Sequence, residues 1–306
     1  MNTFDAQKGR VSALKSATDS LAGLVDLLMP PACRLCGEPI DSGKDFCHQC
    51  LLTLTLSETK MSTACQRCGR PGALSRSDSS GNPSIAGALD PIADPKPPTS
   101  DDPIPACVFC HKEKFAFQRV IARWTYEGRV RDAIVAAKHA SQSSLGSSLG
   151  YLLGQRVALA VADDPPDCVT FVPSSFARQM LRGGTNGNLA IAESVAKCLR
   201  QSHLNGNRAE PRVKRVLGIT RGIKKQAWLT DTQRRENVAG AFAVKKGYAA
   251  SWKSSGASKL TDQHVLVVDD VLTTGATANE VSRVLLESGV RRVTLAVVAR
   301  AVWSKN

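Results

Sequence analysis

The sequence predicts an α/β fold in which a parallel sheet is covered by helices, preceded by a small cysteine-rich region. From about residue 118, apolar runs of strand length alternate with longer stretches of helical periodicity, which is typical of a parallel sheet with helices on both faces. Before that point, eight of the ten cysteines stand in four Cys-x-x-Cys pairs. We therefore expect a helical segment at 1–31, a cysteine-rich domain at 32–117 and an α/β domain at 118–306.

The composition favours a globular protein with anionic partners. The 306 residues are 42% hydrophobic, enough for a sizeable core. The formal net charge is +13, and residues 200–246 alone carry +9, which predicts contact with phosphates or nucleic acid. The sequence has no run of eighteen apolar residues and no N-terminal export signal. We therefore expect a cytoplasmic protein without membrane insertion.

The first segment, 1–31, predicts an amphipathic helix, because apolar residues recur at helical spacing from Val11 to Leu28. Pro30 and Pro31 would end this helix, since proline cannot continue one. We expect its apolar face to pack on the core or on a partner.

The four cysteine pairs predict two closed zinc sites. A Cys-x-x-Cys turn directs two thiolates at one ion, and two turns complete the tetrahedral shell that zinc prefers. Sequential pairing would give two zinc ribbons and crossed pairing a RING-like arrangement; the short spacing favours the ribbons. A disulfide framework would need an oxidising compartment, and redox catalysis uses a single such motif on a βαβ unit, so we favour zinc. The predicted ligands are Cys33, Cys36, Cys47, Cys50, Cys65, Cys68, Cys107 and Cys110.

The segment 71–105, between the third and fourth pairs, predicts a disordered insertion. It holds eight of the fifteen prolines and almost no periodicity. A zinc ribbon tolerates such an insertion because the cost of loop closure grows slowly with length.

The α/β region begins with a strand and two helical stretches, followed by further strands and helices in alternation. The predicted strands are 119–126, 168–173, 215–220, 264–270 and 292–301. The predicted helices are 130–140, 145–162, 188–201 and 277–289. Cys168 and Cys198 lie in apolar surroundings and are expected in the core.

The segment HVLVVDDVLTTGATANE, residues 264–280, predicts a ligand site. It places Asp269 and Asp270 at the end of an apolar strand, the edge where ligands collect in open α/β sheets. The small and hydroxyl residues 273–277 then lead into a helix whose N-terminus suits a phosphate. Two acids beside a phosphate make sense if they bind sugar hydroxyls or recruit Mg²⁺. The alternative is ordinary helix capping, which needs one such residue rather than five.

These residues carry a resemblance to a known family. VLVVDDVLTTGAT resembles the phosphoribosyl pyrophosphate (PRPP) motif of type I phosphoribosyltransferases, which have a Rossmann-like parallel sheet. The four cysteine pairs, WTYEGRVRDAIVAAKH, VPSSFARQMLRGGTN, KKQAWLTDTQRRENVAGAFAV and a final AR, in this order, resemble the ComF family. That family joins a double zinc ribbon to a phosphoribosyltransferase-like domain and is associated with competence and DNA uptake. The resemblance spans nearly the whole chain.

The resemblance implies roles for individual residues. Asp269 and Asp270 would contact the ribose hydroxyls, directly or through Mg²⁺-bound water, and would be the catalytic pair. Arg178 and Arg182 would face the pyrophosphate, but the loop after Pro173 is about two residues shorter than the family pattern. The 5′-phosphate would be held by Thr273, Thr274, Gly275, Ala276 and Thr277.

Two functions of different classes remain open from the sequence. One is a PRPP-dependent transferase, in which an acceptor displaces pyrophosphate with Mg²⁺ assistance. The other is a non-catalytic adaptor that binds single-stranded DNA, or a protein of the competence machinery, with the PRPP fold as sensor or scaffold. Within 200–246, Arg234 and Arg235 match family positions, although they would equally suit a solvated helix face. A response-regulator receiver is excluded because too few residues follow Asp270.

Overall fold

The computed structural model describes residues 30–72, 104–139, 143–174, 186–202, 210–223, 230–248 and 260–302. The predicted N-terminal helix, most of the 71–105 insertion, and both Arg178 and Arg182 lie outside these residues. So do parts of the basic stretch 200–246.

The chain divides into two compact units, one ending at Thr53 and the other beginning at Leu54. The first four-cysteine cluster belongs to the first unit, and the second cluster belongs to the larger unit together with the α/β sheet. The predicted domain boundary at 117/118 therefore differs from this division, because the second cluster packs closely with the sheet.

The predicted strands and helices of the α/β region occur in the predicted order with small shifts at their ends, whereas two helices, His48–Thr59 and Asp231–Val238, and two short strands, Arg212–Val213 and Phe242–Val244, were not predicted. The helices are α1 His48–Thr59, α2 Gly128–Ala136, α3 Ser143–Ala160, α4 Gly187–Ser202, α5 Asp231–Val238 and α6 Ala276–Glu287. The strands are β1 Arg119–Thr125, β2 Cys168–Phe171, β3 Arg212–Val213, β4 Leu217–Ile219, β5 Phe242–Val244, β6 His264–Leu272 and β7 Arg292–Arg300.

A parallel sheet forms the centre of the larger unit. Among the described residues its strand order is β1-β7-β6-β2-β3, with all four neighbouring pairs parallel. Strand β7 is buried except at its last residue, and β6 is buried except at 269–271, as expected for a sheet covered on both faces. Helices α3 and α4 pack together and against the sheet, while α6 packs on β7 and β5. Since parallel crossovers are right-handed, α3 and α4 share one face and α6 covers the other. This confirms the predicted α/β class.

One predicted strand lies outside the parallel sheet. Residues 217–219, within the predicted strand 215–220, pair antiparallel with Phe242–Val244 in a separate two-stranded sheet. The edge position in the parallel sheet is taken by the two-residue strand Arg212–Val213. A strand of three residues forms too few backbone pairs to specify which strand it pairs with, so tertiary packing determined the partner.

Strand β6 is longer than predicted at its C-terminal end. It continues past Asp270 to Leu272, because Val271 and Leu272 still pair with Ala299 and Arg300 of β7. The two aspartates therefore lie within the last half of the strand. Cys168 and Cys198 are buried, as predicted.

Over the described part of the chain, we find no helix that combines the length and the apolar character needed to cross a bilayer.

Candidate functional site

The predicted acidic pair lies where β6 meets the helices of one face of the sheet. Asp269 and Asp270 are both partly buried. The Oδ1 of Asp269 accepts a hydrogen bond from the backbone N–H of Asp270 at 2.9 Å. It also accepts one from the side-chain amide of Asn188 at 2.8 Å. The carboxylate of Asp269 is thus fixed in orientation before any ligand arrives.

Asp270 has a different partner. Its Oδ2 lies 2.6 Å from the ammonium of Lys138, just beyond the end of α2. Both side chains keep about a quarter of their surface exposed, 26% for Lys138 and 22% for Asp270. Lys138, Asn188 and Asp270 line one small cleft together with Ser174, which follows β2. The cleft opens beside the acidic pair.

The surroundings of Asp269 alter its ionisation. Burial, and then the charge of Asp270, raise the pKa of Asp269 to about 7. The hydrogen bond from the Asp270 N–H, the charge of Lys138 and the bond from Asn188 act in the opposite direction. A dication would remove the repulsion, so the pair fits the oxygen ligands that Mg²⁺ prefers.

The predicted phosphate loop follows directly. Gly275 is the N-cap of α6 with φ of 86°, a left-handed conformation that favours glycine. The N–H of Ala276 points back to the Thr274 hydroxyl at 3.4 Å. The first N–H groups of α6 have no partner within the helix, and the positive end of its dipole lies here. The loop therefore has the geometry of an anion site, and the two acids stand three and four residues before Thr273.

The side of Gly275 that lacks a side chain faces the interior. A Cβ at this position would lie 3.7 Å from Phe115 and 3.9 Å from both Leu272 and Phe117, which is ordinary contact. A substitution here would thus act through backbone strain and not by filling the space where a phosphate approaches.

Sequence reasoning missed the roles of Lys138 and Asn188. Lys138 stands at a position of the predicted helix otherwise taken by buried apolar residues, and a charge there was the available signal. Asn188 gave no signal, because its contact with Asp269 joins residues 81 positions apart.

The eight predicted cysteine ligands form two clusters with sequential pairing. Cys33, Cys36, Cys47 and Cys50 make the first, and Cys65, Cys68, Cys107 and Cys110 the second. Neighbouring Sγ atoms are 3.7 Å apart at Cys36–Cys47, Cys68–Cys107 and Cys107–Cys110. Zn–S bonds of roughly 2.3 Å in a tetrahedron put sulfurs about 3.8 Å apart, so both clusters fit zinc.

The second cluster shows why a cation belongs there. A hydrogen bond from Cys68 is the main cause that lowers the pKa of Cys65 to about 4. The same bond, with burial, raises the pKa of Cys68. Four adjacent thiols cannot all ionise by themselves, and a zinc ion would favour the four-thiolate form.

A groove beside the second cluster reaches the phosphate loop. This ribbon groove is lined by Arg70, Phe109, Lys112, Arg234 and Arg235, with Thr273 and Thr274 at its edge. The guanidinium of Arg70 lies 4.1 Å from the centre of the Phe109 ring, which is 44% exposed. Arg235 pairs with Glu113 at 2.7 Å. The groove is therefore basic and carries an accessible aromatic face.

Comparison with known proteins finds a matching domain family for the cysteine-rich part of the chain and another for the α/β part. A double zinc ribbon domain matches residues 24–84, and a phosphoribosyl transferase domain matches residues 186–304. Competence protein F of Haemophilus influenzae is 27% identical over 64% of this chain and 78% of its own length. DNA utilization protein YhgH of Escherichia coli is 22% identical over 90% of this chain and its whole length.

Among solved structures, a glutamine PRPP amidotransferase from B. subtilis matches with a TM-score of 0.31 and 18% identity. That match covers 50% of this chain and 26% of the amidotransferase. The fold assignment rests instead on the strand order and on the domain match.

A cysteine-rich double zinc ribbon joined to a parallel sheet with a PRPP-type motif defines a phosphoribosyltransferase-like protein with structural zinc sites. The order of the two domains, together with the named relatives, completes the assignment. The chain belongs to the ComF family.

Proposed function

We propose that this protein binds PRPP or ribose 5-phosphate at the end of β6, together with Mg²⁺, and that it acts in DNA uptake. The observation that carries the proposal is the continuous run from the acidic pair to the Gly275-capped start of α6. It offers carboxylates for a diol and a helix N-terminus for a phosphate, a few residues apart. The names of the relatives from H. influenzae and E. coli support the role with DNA.

Each part of the ligand has a place in this arrangement. The 5′-phosphate would meet the loop Thr273–Thr277, and the ribose hydroxyls would meet Asp269 and Asp270. Ligand binding would replace part of the contact between Asp270 and Lys138, because the ligand and the Lys138 ammonium would compete for the same carboxylate oxygen. Mg²⁺ held by the two carboxylates would neutralise the charge of a pyrophosphate group.

Transfer would require one further step. The bond from the anomeric carbon to an acceptor atom would form as the bond to the pyrophosphate oxygen breaks, and pyrophosphate would leave with both electrons. Asp269 and Asp270 would position the ribose for this displacement. Arg178 and Arg182 are proposed for the pyrophosphate side. The acceptor is identified by measuring pyrophosphate release from PRPP in the presence of each nucleobase in turn.

Calorimetry tests binding independently of catalysis. Ribose 5-phosphate should bind with or without Mg²⁺, because the loop holds its phosphate, whereas PRPP should bind much more tightly with Mg²⁺. Ribose without phosphate is the control ligand. The proposal fails if neither phosphorylated ligand binds to a zinc-loaded, folded preparation.

The ribbon groove favours a second candidate function, the binding of single-stranded DNA. Its stacked Arg70 and Phe109 pair can contact bases, and Lys112 and Arg234 can contact phosphates. Of the described residues in the basic stretch 200–246, Arg234 and Arg235 line the groove.

Two variants and a salt series test this candidate. Phe109→Ala should weaken binding of a labelled oligonucleotide at every salt concentration, because stacking is uncharged. Lys112→Ala should also flatten the salt dependence, because one phosphate fewer would be neutralised and one counterion fewer released on binding. Arg131→Ala, an exposed arginine on α2 outside the groove, is the matched control. The assignment would be contradicted if the affinity for the oligonucleotide did not change between low and moderate salt, or if neither groove variant lowered it.

A further inference from the structure

Arg300 joins the second cysteine cluster to the phosphate loop. It is the last residue of β7, and its Nε donates to the carbonyl of Cys68 at 2.9 Å. Its Nη1 donates to the carbonyl of Leu272 at 3.0 Å and also to that of Thr273. One guanidinium thus holds a zinc-ligand residue and the first residue of the loop that precedes Gly275.

The charge of a zinc site would strengthen this contact. Four thiolates around one Zn²⁺ carry a formal charge of −2, and Arg300 is the cation bonded to the backbone of Cys68. Loss of the ion would free the turn of Cys65 and Cys68 from Cys107 and Cys110, and with it the Cys68 carbonyl that Arg300 contacts.

The turn that contains Cys68 packs closely against the sheet. Gly69 has φ of 71°, and a Cβ there would lie 2.7 Å from Cγ1 of Val120 on β1. The N–H of Val120 donates to the carbonyl of Gln66 at 2.8 Å. The turn therefore cannot move far from β1 or β7 while the cluster is closed.

A second contact reaches the same loop from the other side. The N–H of Ala116, which follows the fourth cysteine pair, donates to Oδ1 of Asn279 in the first turn of α6 at 2.7 Å. Phe115 stacks on Phe117 with ring centres 4.5 Å apart, and these rings face Gly275. Ribbon residues therefore contact the loop at Thr273 through Arg300 and the start of α6 through Asn279.

We infer that the second zinc site holds the phosphate loop in its binding conformation, with Arg300 as the positioning residue that links the two. Loss of this zinc would release the loop even though no cysteine touches the ligand. The ligand-binding part of the test rests on the proposed function. The loop itself can be followed without any ligand.

Amide hydrogen exchange of residues 272–276, measured by mass spectrometry on the full zinc-loaded chain, gives the ligand-independent readout. Arg300→Lys keeps the charge but cannot serve the Cys68 and loop carbonyls together. It should accelerate loop exchange while both zinc ions remain bound. It should also weaken ribose 5-phosphate roughly tenfold, within the range of couplings carried by such networks.

Arg292→Lys is the matched control. Arg292 is buried at the opposite end of the same strand, about 26 Å away at the usual rise per residue, and it pairs with Asp164. It should lower the melting temperature without changing loop exchange or ligand affinity. Asn279→Ala provides an independent variant should Arg300→Lys fail to fold, since alanine favours the helix and only the contact to Ala116 is lost.

Metal removal tests the same link from the zinc side. Cys107→Ser should lower the zinc content from two to one per chain and accelerate exchange in 272–276. Cys36→Ser removes one zinc without altering Cys68 or its carbonyl, and it should leave the loop unchanged.

The inference is overturned if loop exchange in Arg300→Lys, or in Asn279→Ala where the first does not fold, equals that of the parent. It is also overturned if Cys107→Ser and Cys36→Ser affect the loop equally. If the parent protein fails to bind ribose 5-phosphate, the proposed function falls, and the exchange measurements still decide the inference.

Discussion

The ammonium of Lys138 lies 2.6 Å from the Asp270 carboxylate, whereas the hydrogen bonds that the neighbouring Asp269 accepts within the described part of the chain come from neutral donors, Asn188 and the backbone of Asp270. The acidic pair is therefore asymmetric before any ligand binds. Asp270 is already paired with a cation, and Asp269 carries the cost of a buried charge.

This asymmetry predicts opposite stability effects for two similar substitutions. The pKa of Asp269 is raised to about 7 from its ordinary value of 3.8, so the folded state holds a proton that the unfolded state releases between these pH values. Its ionisation therefore destabilises the fold increasingly as pH rises from about 4 to 7. Asp269→Asn should raise the free energy of unfolding by about 1–3 kcal/mol at pH 8 and by less at pH 5.

Asp270→Asn is the matched comparison, because it leaves Lys138 without its partner and should not stabilise the protein. Both variants should weaken Mg²⁺-dependent PRPP binding in calorimetry. Urea unfolding at pH 5 and pH 8 checks the first part. A lower stability of Asp269→Asn at pH 8 would contradict the assigned environment.

Substitutions at Gly275 and Gly289, which flank the same helix, distinguish the cost of backbone strain from the loss of ligand binding. They flank α6 with φ of 86° and 89°, so Gly→Ala at either position places an L-residue in the left-handed region. Each change should cost about 1–2 kcal/mol of stability. Only Gly275→Ala should also weaken ribose 5-phosphate, because it distorts the loop that meets the phosphate. Gly275→Val should be more severe, since a β-branched residue tolerates this conformation less well. Equal ligand affinities for the two alanine variants would contradict the placement of the phosphate.

Zinc content gives a third test. Elemental analysis of the folded chain should find two zinc ions, because two four-cysteine clusters have the sulfur spacing of tetrahedral zinc. Chelation should destabilise the larger unit, since its cluster is bonded to β1 and β7. A well-folded preparation with one zinc ion or none would disprove the prediction.

The buried His264 predicts acid sensitivity unrelated to the ligand site. Its Nε2 lies 2.9 Å from the Thr294 hydroxyl, and its Nδ1 lies 3.1 Å from Asp164. Burial lowers its pKa to about 4, with Asp164 and Asp167 acting against that shift and Arg291 and Arg292 adding to it. Between pH 6.5 and 4, His264 is therefore protonated in the unfolded state and neutral in the folded state.

Stability should accordingly fall as pH decreases through this window, by up to about 3 kcal/mol at its lower end. His264→Asn should remove most of that slope, although it lowers stability at pH 7. Unfolding free energies measured at half-unit intervals from pH 4 to 7 check this. A slope retained in the variant would assign the acid sensitivity to other groups.

The sequence by itself determined the class of the fold and the candidate ligand loop. Buried strands such as β6 and β7 are largely apolar, and their alternation with helices fixes a parallel sheet whatever the details of packing. The cysteine ligands and the segment from Asp269 to Thr277 were likewise readable, because each is a local pattern whose chemistry depends on spacing along the chain.

Tertiary structure alone decided which distant residues complete that pattern. Asn188 reaches Asp269 across 81 positions, Lys138 reaches Asp270 from just beyond the end of α2, and Arg300 reaches Cys68 across 232 positions. It also decided that residues 217–219 pair with β5 instead of joining the parallel sheet. The physical reason is the same in each case. A hydrogen bond or a short strand pair leaves no periodic trace in the sequence, and its partner is selected only when burial of the surrounding core brings the two segments together.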